Sequence, residues 1–110
     1  MADTFKVLGQ TAPADTNEAT LYTVPEDTVT TVSSIVACNL TGDTPTFRVA
    51  VRPKGATVAN EHYIYYDKAT AANDSIFIII GLTLSDDDIV SVRSSAANKI
   101  AFSIFGVETS

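Results

Sequence analysis

Apolar and polar residues alternate along this chain in short runs, broken by clusters rich in Pro, Gly, Asn, Asp and Thr. A period of two sends successive side chains to opposite faces of a strand. The pattern predicts strands over 4–9 (TFKVLG), 19–24 (ATLYTV), 29–40 (VTTVSSIVACNL), 46–52 (TFRVAVR), 62–67 (HYIYYD), 74–82 (DSIFIIIGL), 89–95 (IVSVRSS) and 99–108 (KIAFSIFGVE). Within 46–52, Phe47, Val49 and Val51 are expected to face inward, and Thr46, Arg48, Ala50 and Arg52 outward. Within 99–108, Ile100, Phe102 and Ile104 share one face. Alternation slips at Ser33 and Ser34, which predicts a bulge or bend there. No segment longer than a turn carries the 3.6-residue apolar period of a helix.

About eight strands in 110 residues make an all-β chain and suit a single antiparallel β-sandwich, jelly-roll or immunoglobulin-like, with the strand order left open. One domain over 1–110 is expected, residues 1–18 supplying an N-terminal strand or arm. Two runs do not fit a strand with one dry face. Ile76, Phe77, Ile78, Ile79 and Ile80 are apolar on both faces, and 62–67 reads as Tyr63 and Tyr65 on one side with Ile64 and Tyr66 on the other. Phe102 and Phe105 likewise point apart. Several large apolar groups left in water together form a patch that free monomers seldom carry. Another subunit is the simplest cover; the alternative is that a loop such as KGATVANE (54–61), or the N-terminal link, folds over that face.

Composition narrows the function. A net charge of −6 and scattered cations, only Arg48 and Arg52 lying close in sequence, give no basic stripe for a nucleic-acid backbone. Cys38 is the only cysteine, so no intrachain disulfide forms, and its apolar surroundings mark it as a small hydrophobe. MADTFKVLGQ lacks the features of an export signal, and no run approaches the roughly 18 apolar residues that span a bilayer. Synthesis and folding in a cytoplasm, with no membrane partner, are therefore expected. The NLT and NDS triplets at Asn39 and Asn73 then read as turns rather than glycan acceptors.

Candidate chemistry is thin. His62 is the only histidine and reads as a strand-edge residue beside YIYY. No nucleophile elbow or Cys–His pairing is evident, and one Cys with one His does not make a zinc site. The run Asp86, Asp87, Asp88 invites calcium, but consecutive side chains diverge, so a solvated turn is the plainer reading. Tyr63, Tyr65 and Tyr66 could stack sugars, though alternating tyrosines more often build core and interface. No catalytic residue, cofactor or metal is expected.

The segments MADTFKVLGQTAPA, TLYTVP, VSSIVACN, FRVAVRPKGA, HYIYYD and FSIFGVE together resemble a family of small structural proteins of tailed bacteriophages, found especially among phages of cyanobacteria and other environmental bacteria. The resemblance runs through nearly the whole chain. It implies a non-enzymatic virion component present in many copies and assembled in the host cytoplasm. A capsid decoration (cement) protein is the leading expectation: a homo-oligomer, trimer or dimer, that binds the major capsid protein or other virion proteins and stabilises the shell. Phe5, Val7 and Leu8 of the first strand, with Tyr63, Tyr65, Ile78 and Phe105, are the expected inter-subunit contacts. A tail, collar, baseplate or fibre component, or a carbohydrate-binding receptor module using the tyrosines and loop acids, are the alternatives.

Overall fold

The computed structural model describes residues 2–110. Eight strands follow one another: β1 (Asp3–Thr11), β2 (Ala19–Thr23), β3 (Val29–Asn39), β4 (Thr46–Arg52), β5 (Tyr63–Ala69), β6 (Ser75–Leu84), β7 (Ile89–Ser94) and β8 (Ile100–Thr109). Single 3-10 turns at Pro53–Gly55 and Asn60–His62 interrupt the connection from β4 to β5. The strands form two four-stranded sheets, ordered β1-β8-β3-β6 and β2-β7-β4-β5, with every pairing antiparallel. The two sheets pack as a β-sandwich, and only β4 and β5 are both consecutive in sequence and neighbours in one sheet.

The alternating residues meet between the sheets. Val32, Ile35 and Ala37 of β3, Ile78 and Leu84 of β6, and Ile100, Phe102 and Ile104 of β8 face Val24 and the inner side chains Leu21, Tyr22, Phe47, Val49, Val90 and Val92. Phe47 meets Phe102 edge-on across the gap, with ring centroids 5.8 Å apart. Such aromatic pairs add to what simple burial contributes. Gly106, paired with Val32 in the β3–β8 ladder, has no room for a side chain: a Cβ there would collide with the Thr31 carbonyl oxygen. The register of β3 slips between Val32 and Ser34 beside that contact, where the broken alternation predicted it.

Two polar knots fix the ends of the sandwich. Asn39, 2% exposed, donates through Nδ2 to the carbonyls of Asp43 (2.7 Å) and Ala71 (3.0 Å), while its Oδ1 accepts from the amide and hydroxyl of Thr41. This ties the 41–45 turn to the 70–73 loop, and Asn39, expected in a turn, is instead the last residue of β3 with its amide already engaged. At the other end the Tyr22 hydroxyl donates to Glu108 Oε2 at 2.5 Å and lies 2.8 Å from the Thr30 hydroxyl. Lys6 closes the cluster from the rim, 3.0 Å from Glu108. Burial, then the Glu108 contact, pushes the Tyr22 phenol upward, and the Tyr22 hydrogen bond holds the Glu108 carboxyl below its usual range.

Of the strand or arm expected over 1–18, the described residues form a strand followed by a crossing segment. Residues 3–11 form a full edge strand on β8, and residues 12–18 then cross to the second sheet. The Pro13 carbonyl accepts from Asn98, the Thr16 carbonyl from Arg93, and Glu18 from the buried Ser91 hydroxyl.

Candidate functional site: two unlike outer faces

Directly paired residues of an antiparallel ladder share a face. The register therefore lays out the outer surface of the β1-β8-β3-β6 sheet in rows. One row is Phe5, Val107, Thr31 and Thr83; the next is Val7, Phe105, Ser34 and Ile79; a third is Gln10, Ser103, Val36 and Phe77. Phe5 and Ile79 are each 80% exposed and Phe77 67%. Asp3, at one corner beside Thr109, is the one charged side chain in this outward register. A chain with 18% charged residues has thus left the middle of its longest sheet uncharged and open.

The expected contact residues divide over this geometry. Phe5, Val7 and Phe105 do lie together on the open face. Ile78 does not: at 3% exposure it belongs to the core, because in β6 the even-numbered residues turn inward. Its neighbours Phe77 and Ile79 hold the outward positions and were not singled out. Leu8 sits at a register shift between Val7 and Gly9 and packs toward the core near Gly106. Tyr65 also turns inward, 6.1 Å from the ring of Phe47.

The connection 53–62 does fold back over a sheet, but over the other one. Its 3-10 turns lie against β7 and β4, and Ala50, an outward position, is 1% exposed. The cover expected for the 76–80 run is therefore spent elsewhere in the chain.

The outer face of β4, β5 and β7 is polar. Register shifts at Phe47/Val49 and Val49/Ala50 interrupt the β4–β5 ladder, and Asp67 adopts a positive φ of 51°. Bulges of this kind re-aim side chains. Here the result is that Tyr63 and Tyr66, expected on opposite faces, meet edge-on with centroids 5.0 Å apart. The Arg48 guanidinium lies over Tyr66, 3.9 Å from its centroid, and grips Asp67 through Nε–Oδ1 (2.7 Å) and Nη2–Oδ2 (3.3 Å). That hydrogen-bonded guanidinium holds the Asp67 carboxyl below its usual range. Arg93 pairs directly with Arg48 across the ladder. Sequence spacing pointed to Arg48 and Arg52; the fold joins Arg48 to Arg93, forty-five positions away.

The remaining candidates are structural. The His62 ring accepts the Ala59 amide through Nδ1 at 3.0 Å, which closes the second 3-10 turn. Asp86 pairs with Lys54 at 2.6 Å, and Asp88 accepts the amides of Lys54 and Ser85, so the aspartate run knits the β6–β7 turn to the 53–55 turn. Cys38 is unpaired and half-buried on the open face, opposite Ala101 and Ser75. No family model, curated protein or solved structure gives a significant match to this chain.

Proposed function

We propose that this chain is a non-enzymatic structural protein of a phage virion, a capsid decoration protein that works as a homodimer joined through the β1-β8-β3-β6 face. The carrying observation is that open face, whose only charge in the outward register is Asp3 at one corner. Four strands about 4.8 Å apart and about 30 Å long present roughly 550 Å² per copy, so two copies remove about 1,100 Å² or more from water. That reaches the lower range of specific interfaces. A second copy suits the face because its uncharged middle opposes nothing on itself, while Asp3 and the other charges of this acidic chain lie at or beyond its rim. Pairing the same patch on both subunits gives a closed twofold dimer and leaves no open filament end.

The strand order supports a jelly-roll reading of the sandwich, with β8 beside β1 and β3 in one sheet and β7 beside β2 and β4 in the other. Viral capsid proteins often use that architecture. The resemblance to small structural proteins of tailed phages supports the same placement, in virions assembled in the host cytoplasm. The mechanism is mass action: a dimer that binds the mature lattice and bridges neighbouring major capsid subunits, but does not bind them when separated, stabilises the shell.

The test is to mix purified protein with expanded, undecorated capsids of the phage that encodes it. Saturation at a symmetry-related copy number, with a raised shell melting temperature, is expected. A protein that ignores those capsids would sink the decoration role and move a tail, collar or baseplate position forward.

A further inference from the structure

Arg48 and Arg93 stand side by side on the polar outer face, and direct like-charge pairing across a ladder is destabilising. Both Asp67 oxygens are already held by Arg48. Among the described residues Arg93 forms no salt bridge and reaches Asp67 only through its charge; its Nε donates to the Thr16 carbonyl at 2.7 Å, and its terminal nitrogens make no hydrogen bond to them. The local balance of Arg48, Arg93 and Asp67 is positive in a chain whose net charge is −6. A hollow of about 340 Å³ opens here, lined by Thr16, Thr46, Arg48, Asp67, Arg93 and Ser95 among others. Beyond Arg48 a second hollow of about 450 Å³ is lined by Asn60, Tyr63 and Tyr66. Arg48, fixed by Asp67, lines the first hollow, and its guanidinium lies on Tyr66, which lines the second.

We infer that this face binds an acidic sugar, with the ligand carboxylate in the fork of Arg93 and the adjoining ring against Tyr66 and Tyr63. A guanidinium with free terminal donors matches a carboxylate in both charge and shape. Thr16 and Thr46 bring hydroxyls to the first hollow, and Asn60 brings an amide to the second, where sugar hydroxyls need partners. Arg48 takes one face of the Tyr66 ring, but Tyr66 is still 58% exposed, and the part of the ring left open is apolar surface of the kind on which a sugar ring packs. An aspartate or glutamate side chain would fill the first hollow and leave the second unused, which favours a sugar over an acidic peptide. The site faces away from the proposed dimer contact and does not depend on it.

Isothermal titration of the purified chain with trigalacturonate and with N-acetylneuraminate tests the site, using methyl-esterified trigalacturonate and acetate as comparators. Saturable binding of at least one acidic sugar is expected, weakened about tenfold or more by esterification or by Arg93→Gln, as loss of a charged hydrogen bond would require. Tyr66→Ala should weaken the sugar but leave acetate unchanged, and thermal melts would establish that both variants remain folded. Comparison of the esterified with the free sugar tests the carboxylate on the wild-type protein even if a variant does not fold. The inference is overturned if neither acidic sugar binds, if the ester binds as well as the acid, or if acetate binds as tightly as the trisaccharide.

Discussion

Tyr22 is the residue at which the sandwich couples burial to charge. Its hydroxyl serves Thr30 and Glu108 at once, so Tyr22→Phe removes two contacts and leaves Glu108 with only Lys6. A loss of about 1–3 kcal/mol of unfolding free energy is expected, measurable by urea denaturation. The pH dependence has a definite sign. Glu108 is held below its ordinary value of 4.5, so its contribution is complete above 4.5 and fades as pH falls through the lower folded value. Tyr22 is pushed above its ordinary value of 10, so its contribution is present below pH 10 and is lost as pH rises beyond it. Glu108→Gln should therefore flatten the acid limb of the stability profile; an unchanged limb would show that other carboxylates govern it. Gly106→Ala is the steric counterpart. Its new methyl would meet the Thr31 carbonyl, and destabilisation of about 1–3 kcal/mol or more is expected in the same assay.

At the scale of the element, β6 poses a question that the sequence could raise but not settle. Five adjacent apolar residues show that both faces are apolar, yet periodicity alone does not say which parity points inward. The structure sets it: Ile78 in, Phe77 and Ile79 out. Ile78→Ala should cost about 2–5 kcal/mol, as buried isoleucines do, whereas Ile79→Ala should leave the stability of the isolated domain within about 0.5 kcal/mol. Thermal melts of dilute protein would distinguish the two, and equal losses would mean that β6 has been assigned the wrong register. Legibility elsewhere followed the same logic. The strand 46–52 was readable to the residue because it alternates without interruption, and the break at Ser33 and Ser34 was readable because the pattern itself slips. The bulged β5 was not, since its register shifts depend on β4 and bring Tyr66 round to Tyr63. Nor was the Arg48–Arg93 pair, because adjacency across β4 and β7 is a property of strand order, which composition and periodicity do not encode.

For the whole molecule the two outer faces divide the work. One sheet carries arginines, tyrosines and hydroxyls and is partly roofed by the 53–62 connection. The other carries Phe5, Val7, Phe77, Ile79 and Phe105, of which Phe5, Phe77 and Ile79 stay two-thirds or more exposed to solvent among the described residues. Burying such side chains is worth roughly 1.5–3 kcal/mol each, which would drive the proposed association. Cys38 lies on the same face and reports on it: its thiol should react slowly with a maleimide in the dimer and faster once the face is opened by Ile79→Lys. Equal rates in both forms would place the contact elsewhere.

The most direct measurement is the mass of the purified chain by light scattering at micromolar concentration, for the wild type and for Ile79→Lys. A mass near twice 11.7 kDa for the wild type, falling to a single chain in the variant with its melting cooperative, is the predicted result. A wild-type protein that stays a soluble monomer at those concentrations would contradict the account, because the open face would then need no partner.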